Sequence, residues 1–290
     1  MLLLKREEQP QFSVIIATFS RPTQLQIALK AISLLEYSRS QFEVIVVDDG
    51  SPAPLDAVVA PFAERFPVLL MRQPNAGCGP ARNAGACLAR GRYVAFTDDD
   101  CTHNPDWLTR LESYFEQYPD AMVGGLPVNT LRSNPYSAAT QLLIDYLLLT
   151  ANRERTAAEF LNNMAMPREE FTGMGGFDAE FSMSAEDRDL CDRWVQSGKR
   201  IVFAPEIVIP HAHPLAWRSY WRQHFGYGRG AFHRRRKGIG RVQPAAFYAR
   251  LVLFPFMRER WAPAVRSSFL LAIAQVATVA GLVREWRECR

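Results

Sequence analysis

The apolar positions of the chain form short continuous runs that alternate with amphipathic stretches and short turns. Two of four short apolar runs, 42–47 and 93–97, are rich in β-branched and aromatic residues, which is the composition of buried parallel strands. All four runs have the length of strands. They cover residues 12–18, 42–47, 68–72 and 93–97. Helices are predicted between them, over residues 20–35, 56–65 and 81–89. This alternation predicts an α/β fold with βαβ units on a mostly parallel sheet.

Beyond residue 100 the pattern is less regular. It predicts helices over 105–118, 137–149 and 187–197, strands over 121–128 and 201–204, and a loop or part of a pocket over 150–170. We therefore expect a catalytic domain over 1–235 and an apolar helical extension over 236–290.

The C-terminal extension follows a basic run, residues 233–237, and contains two apolar stretches, 247–257 and 267–283. The second stretch carries no charge and is at the lower length limit for a membrane span, with Gln275 in its middle. A core helix, a helix packed on a membrane surface or in a dimer, and a span all stay open. The arginines of the basic run are candidates for contact with lipid phosphates.

Composition limits the class of protein. With 290 residues, 48% of them hydrophobic and 22% charged, the chain is a folded globular protein. A net charge of +4 is too small to indicate nucleic acid. The five cysteines form no C-x-x-C pair, which argues against structural zinc or disulfides and fits a reducing cytosol. The N-terminal segment lacks the apolar length of a signal peptide, so we expect the catalytic part in the cytosol.

Acidic residues follow two of the predicted parallel strands. Asp48 and Asp49 follow the second strand, and Asp98, Asp99 and Asp100 follow the fourth. Open α/β sheets bind ligands at the carboxyl ends of their strands, and adjacent carboxylates repel unless a cation lies among them. A D-x-D site for Mg²⁺ or Mn²⁺ on substrate phosphates is therefore predicted, against the alternative of a solvated turn.

Three further segments carry candidate chemistry. Residues 75–85 form a glycine-rich turn before a helix, whose N-terminus and Arg82 suit an anion, or else a well-packed turn. Glu186 and Asp187 offer a carboxylate for proton transfer, or else acids suited to a helix N-terminus. His211 and His213 form an H-x-H pair that can bind a metal, or else are ordinary histidines.

Together these segments resemble the family 2 glycosyltransferases, which have the GT-A fold. The resemblance extends over about residues 12–230, in the family's order. The matching segments are 15–22, 47–51, 75–85, 96–100 and 175–190.

The resemblance implies a role for each matching residue. Thr18 and Asp49 are similar to contacts with the base and ribose of a nucleotide-sugar, Arg82 to a residue near the diphosphate, and Asp98 to a ribose or sugar contact. Arg21, Asn75 and Asp99 are assigned to the same nucleotide-sugar site. Asp100 is similar to the main metal ligand, with His211 completing the site. Asp187 is similar to the general base, with Glu186 beside it.

The implied activity is the metal-dependent, inverting transfer of one sugar from a nucleotide-diphosphate sugar to a glycan or lipid-linked acceptor, in cell-surface glycan or glycolipid synthesis. Mn²⁺ or Mg²⁺ is the implied cofactor. The expected location is the cytoplasm, with the inner face of the plasma membrane, a membrane surface and a homodimer as further possibilities, and no nucleic acid. The Gln-x-x-Arg-Trp motif of processive synthases is missing, since Arg193 and Trp194 lie outside that context, so single transfer is favoured.

Two other functions stay open at this point. Asp98-x-Asp100-x-Thr102 formally fits the D-x-D-x-T pattern of haloacid-dehalogenase-like phosphatases, although that pattern usually follows the first strand. A non-catalytic scaffold recruited to membranes would use the basic run and the apolar tail, but it leaves both acidic clusters unexplained.

Overall fold

A computed structural model describes residues 9–154, 163–181, 184–239 and 242–289, so the N-terminal segment on which the signal-peptide prediction rests is largely outside the described residues. Seven strands form one sheet in the order β3-β2-β1-β4-β6-β5-β7. They are β1 (Phe12–Thr18), β2 (Phe42–Asp48), β3 (Val68–Arg72), β4 (Tyr93–Asp98), β5 (Met122–Asn129), β6 (Met164–Pro167) and β7 (Ile201–His211).

The first four strands form the parallel half of the sheet. β1 pairs in parallel with β2 on one side and β4 on the other, and β2 pairs in parallel with β3. Almost every residue of β1, β2 and β4 is buried, which agrees with their continuous apolar sequences. The predicted α/β fold with a mostly parallel sheet is confirmed.

The other half of the sheet contains a strand that the sequence does not predict. β6 lies between β4 and β5 and is antiparallel to both. It is followed directly by a helix, Arg168–Gly173. The prediction of a loop over 150–170 is therefore wrong at these residues, because a strand of four residues without a β-branched side chain carries no local signal.

Ten helices occur among the described residues. They are α1 (Pro22–Ile32), α2 (Asp56–Val59), α3 (Cys78–Leu88), α4 (Trp107–Gln117), α5 (Pro135–Glu154), α6 (Arg168–Gly173), α7 (Glu186–Gln196), α8 (Trp217–Arg236), α9 (Ala245–Leu253) and α10 (Trp261–Glu288). Proline at the first position of α1 suits a helix start, because the N–H it lacks would have no partner within the helix.

The chain divides into two compact units. The sheet unit comprises residues up to 127 with 162–177 and 194–209, and the helical unit comprises 128–161, 178–193 and 210–290. Apolar side chains of the central strands form the main core of the sheet unit. The predicted domain boundary at residue 235 stays a prediction.

The helical unit is held together by the close packing of α8 and α10. A Cβ atom on Gly228 would lie 1.9 Å from the carbonyl oxygen of Thr278, and one on Gly281 equally close to that of Phe225. Only glycine permits this approach of the two backbones. Tyr220 is fully buried nearby, and its hydroxyl donates to the carbonyl oxygen of Leu270 at 2.9 Å.

Candidate functional site

The register of the parallel strands aligns both acidic clusters at one edge of the sheet. Thr18 at the end of β1 is opposite Asp48 of β2, and Ala17 is opposite Asp98 of β4. The carboxyl ends of three adjacent strands therefore coincide there. Eight of the eleven predicted site residues belong to the sheet unit: Thr18, Arg21, Asp49, Asn75, Arg82, Asp98, Asp99 and Asp100.

Asp49 organises the glycine-rich segment. Its carboxylate accepts hydrogen bonds from the backbone N–H groups of Ala76 and Gly77 at 2.9 and 2.8 Å, and from the Gln73 amide at 2.8 Å. The Asn75 amide donates to the backbone carbonyl of Asp49 at 2.9 Å. These bonds fix the loop that leads into α3, so the structure gives Asp49 a structural task, and its contact with a nucleotide stays a prediction.

Arg21 and Thr18 contact the acidic triplet directly. The Arg21 guanidinium lies 2.8 Å from Asp99 Oδ1 and 2.5 Å from Asp100 Oδ2, and the Thr18 hydroxyl donates to Asp99 Oδ2 at 2.6 Å. Burial raises the pKa of Asp99 to about 6, although Arg21 and Thr18 both act to lower it. The guanidinium thus supplies the positive charge that closely spaced carboxylates require.

Arg82 neutralises the first acid of the triplet. Its Nη2 atom lies 2.6 Å from Asp98 Oδ1, and its guanidinium also lies over the Phe177 ring, 5.4 Å from the centroid. The Arg82 side chain is 5% exposed while that of Asp98 is 26% exposed. Asp98 is therefore the more accessible partner at this edge, and Arg82 is a cation held against it.

Asp98, Asp100 and Cys101 form a group that can hold a metal ion. Each offers one ligand atom, and these atoms lie within 4.8 Å of one another. Two carboxylates suit a hard divalent cation. Cys101 was not among the predicted site residues, because a lone cysteine after a D-x-D motif carries no signal of its own. Burial, followed by the charges of Asp98 and Asp100, raises the pKa of the Cys101 thiol well above its usual value.

A chain of buried hydrogen bonds lies behind this group and was also not predicted. Asn163 donates to the Cys101 sulfur at 3.5 Å and accepts from the Thr97 hydroxyl at 2.9 Å. Because the one hydroxyl proton of Thr97 goes to Asn163, Thr97 accepts from His103 Nε2 at 3.0 Å. Burial lowers the pKa of His103 to about 3, so His103 is neutral. These side chains fix the position of Cys101.

Asn83 is a second residue that the sequence did not single out. Its amide donates to the carbonyl of Phe177 at 2.7 Å and accepts from the Phe177 N–H at 2.8 Å. The two bonds attach α3 to the Gly175–Gly176 turn, where both glycines have positive φ. Asn83 lies one residue after Arg82 in the glycine-rich segment. Its place in that segment was the one feature of the sequence that could have indicated a role for it.

Glu186 and Asp187 begin α7 in the helical unit, where acids suit the helix dipole. Asp187 is 8% exposed. The turn before them has positive φ at Ala185, and α8 packs tightly against this turn because a Cβ atom on Gly230 would lie 2.6 Å from the carbonyl of Ser184. The helical unit thus fixes the position of the predicted base.

His211 lies at the end of β7, and its ring stacks on that of His213 at 5.4 Å between centroids. The backbone carbonyl of His211 accepts from the N–H of Thr130 at 3.0 Å, and that of His213 accepts from the Ser137 hydroxyl at 2.7 Å. The segment that carries both histidines is therefore anchored to the start of α5. Metal binding by His211 stays a prediction.

Comparison with known proteins identifies what the chain is similar to. Residues 13–176 match the family model described as glycosyl transferase family 2. The glucosyl-dolichyl phosphate glucuronosyltransferase of Haloferax volcanii is 26% identical over 72% of this chain and 74% of its own length. Glycosyltransferase AglE of the same organism is 25% identical over 76% of this chain and 73% of its own.

Solved structures share the fold. A mannosyltransferase from Pyrobaculum calidifontis, in complex with GDP-Man and Mn²⁺, superposes with a TM-score of 0.70 at 18% identity, covering 97% of this chain and 88% of that one. S. aureus TarS, in complex with UDP-GlcNAc, gives a TM-score of 0.58 at 15% identity over 97% and 92% of the two chains. At these identities the likeness establishes the GT-A-type fold.

Proposed function

The chain belongs to glycosyl transferase family 2, and we propose that it is a metal-dependent, inverting enzyme that moves a single sugar from a nucleotide-diphosphate sugar to an acceptor hydroxyl. The main support is the arrangement at the carboxyl edge of β1, β2 and β4. There, three consecutive carboxylates face two arginines, Arg21 and Arg82. Such an edge attracts a metal–diphosphate complex, because the carboxylates attract the metal ion and the arginines attract the diphosphate.

The donor site is assigned to the sheet unit. Asp98 and Asp100 would hold Mn²⁺ or Mg²⁺, because their carboxylate oxygens are the hard ligands that these ions prefer. When bound, the ion neutralises charge that develops on the departing diphosphate. Arg82 is positioned to stabilise the same negative charge, and the loop fixed by Asp49 presents the N-terminus of α3 to the nucleotide.

The acceptor chemistry is assigned to Asp187. An acceptor hydroxyl attacks the anomeric carbon while its proton passes to the Asp187 carboxylate. The bond from that carbon to the diphosphate oxygen breaks, and its electron pair leaves with the nucleoside diphosphate. A single in-line displacement of this kind inverts the anomeric configuration. Glu186 precedes Asp187 in the first turn of α7, and it is proposed to assist the same site.

The acceptor is assigned to glycan or lipid-linked molecules in cell-surface glycan or glycolipid synthesis, on the cytoplasmic side of a membrane. The support is the similarity to the glucosyl-dolichyl phosphate glucuronosyltransferase of Haloferax volcanii, whose name specifies a dolichyl phosphate-linked sugar. A single transfer is favoured over polymer synthesis because the processive motif is missing from the sequence. The family match favours this function over the phosphatase and the scaffold considered above.

A direct test is the release of nucleoside diphosphate from a panel of UDP-, GDP- and dTDP-sugars with Mn²⁺ and a short polyprenyl phosphate or glycan acceptor. We expect one donor to be consumed in proportion to acceptor, with the anomer inverted in the product by NMR. A chain that consumes no donor but hydrolyses simple phosphate monoesters would refute the proposal. A retained anomer would refute the single displacement alone.

A further inference from the structure

The start of α10 and the segment before it expose a continuous apolar surface. We name it the apolar patch, and it consists of Leu253, Phe256, Met257, Trp261, Val265 and Phe269. Met257, Trp261 and Phe269 are 78%, 76% and 66% exposed. The rings of Phe256 and Trp261 lie 5.1 Å apart, which joins the 254–257 turn to the helix. Apolar surface of this kind on a soluble domain commonly marks a binding site.

The opposite face of α10 belongs to the core of the helical unit. Leu271, Ala274 and Ala277 are fully buried there, and Glu285 forms an ion pair with Arg229 of α8. By length and composition α10 is able to cross a membrane, but 39% of its most apolar 18-residue stretch is buried inside the protein. A span would separate α10 from α8 and expose these groups. The exposed face therefore suits a helix that lies along a surface.

The basic run at 233–237 is engaged within the protein. Arg234 lies 2.5 Å from Asp192, and His233 lies 2.8 Å from Glu285. Arg236 and Lys237 pair with Glu180 and Asp178. All of these partners belong to the helical unit. Because Arg234, Arg236 and Lys237 already have acidic partners in the protein, less of the charge of this run is free for lipid phosphates, and that contact stays a prediction.

A different set of arginines flanks the residues of the apolar patch along the chain, on α9, on α10 and between them. Arg250, Arg258, Arg260 and Arg266 are all exposed. In the described part of the chain, Arg250, Arg260 and Arg266 have no acidic partner, and Glu259 is the one acid between residues 242 and 269. The patch is therefore apolar at its centre and positively charged at its rim, which is the pattern of a helix in an anionic membrane interface.

We propose that the apolar patch docks on an anionic lipid surface, with α10 in the plane of the membrane and the surrounding arginines against the phosphates. A second copy of the chain is the other natural occupant. A two-fold dimer through this patch, however, would bring the arginines of one copy near those of the other, and one acid at this end cannot offset them. Phosphate headgroups supply the opposite charge, and Trp261 is the residue type that favours the headgroup level.

Vesicle flotation of the full chain tests the proposal without reference to catalysis. We expect the chain to float with vesicles of phosphatidylcholine and phosphatidylglycerol at low salt, and weakly with phosphatidylcholine alone. Trp261→Ser with Phe269→Ser should lower binding to both by roughly tenfold or more. Arg260→Gln with Arg266→Gln should lower binding to the anionic vesicles alone, also by roughly tenfold, and weaken its salt dependence.

Two matched controls separate this surface from general effects. Ile27→Ser with Leu34→Ser removes two exposed apolar side chains from the sheet unit, where they are 54% and 61% exposed. Arg235→Gln removes a cation from the basic run. Neither should change flotation, and thermal melting should show every variant folded.

Three results would overturn the proposal: no flotation of the unchanged chain, an equal loss in the controls, or retained binding after both aromatic substitutions. A dimer in analytical ultracentrifugation that Trp261→Ser with Phe269→Ser converts to monomer, without vesicle binding, would assign the patch to a second copy instead. None of these outcomes depends on whether the sugar-transfer function is correct.

Discussion

Arg21 donates to the carboxylate of Asp100 at 2.5 Å. Asp100 is the residue assigned as the main metal ligand, so a fixed cation of the protein contacts the carboxylate that a metal ion would use. The same guanidinium also contacts Asp99, which is 2% exposed. Arg21 therefore holds the acidic cluster together without metal, and it opposes the approach of a second cation.

The first prediction follows from this competition. Arg21→Gln should bind Mn²⁺ about three- to tenfold more tightly in the absence of nucleotide, because a positive charge beside the ligands is lost. The metal-free variant should melt at a lower temperature, since its carboxylates then repel without compensation. Free Mn²⁺ measured by electron paramagnetic resonance gives the affinity. Arg21→Lys, which keeps the charge, is the control, and weaker Mn²⁺ binding by Arg21→Gln would contradict the account.

The second prediction concerns the metal ligand itself. Asp100→Ala should abolish the increase in melting temperature that nucleoside diphosphate and Mn²⁺ produce together, because the nucleotide is held through the ion. Asp120→Ala, which removes an exposed acid elsewhere in the sheet unit, should keep the full increase. Stabilisation by the nucleotide that is the same in Asp100→Ala, or the same in the presence of a chelator, would refute the metal-site assignment.

The third prediction separates binding from chemistry. Asp187→Asn should leave nucleotide affinity nearly unchanged and lower sugar transfer by roughly 10²- to 10⁴-fold, the range of general base catalysis. Asp189→Asn is the control on the same helix. Asp189 is fully buried and lies 2.7 Å from Arg193. The main effect of removing its charge should therefore be a lower melting temperature. An Asp187→Asn variant that turns over normally at neutral pH would show that another group is the base.

The fourth prediction concerns pH and stability. His224 of α8 is fully buried, and neither ring nitrogen has a hydrogen-bond partner among the described residues. Burial lowers the pKa of His224 from 6.5 to about 4. A lowered pKa contributes stability that is complete above pH 6.5 and is lost as the pH falls toward 4, because the unfolded chain takes up the proton first.

This contribution predicts a loss of about 2 kcal/mol between pH 7.5 and pH 5 that the substitution His224→Phe should remove. Urea unfolding of both proteins at the two pH values gives the difference. Phenylalanine keeps an aromatic ring against Tyr220, whose ring centroid lies 4.4 Å from that of His224. If both proteins lose the same stability between these pH values, His224 is not the group responsible.

The sequence alone determined the parallel half of the sheet and the position of the acidic clusters. Continuous β-branched runs such as 42–47 can be buried only in a sheet covered on both faces, so their local pattern carries the fold. The acids that follow β2 and β4 then had to share an edge, as the register of Thr18 with Asp48 bears out.

The tertiary structure alone decided those elements whose local sequence is a weak signal for the observed structure or favours a different one. β6 has four residues and is a strand because β4 and β5 supply its hydrogen bonds. α8 was not predicted, since Gly226, Gly228 and Gly230 disfavour a helix, yet close packing requires glycine at Gly228 and Gly230. The partners of Arg21 and of the basic run are likewise distant in sequence. Local pattern determines which segments are buried, whereas charge pairing depends on which segments the fold brings together.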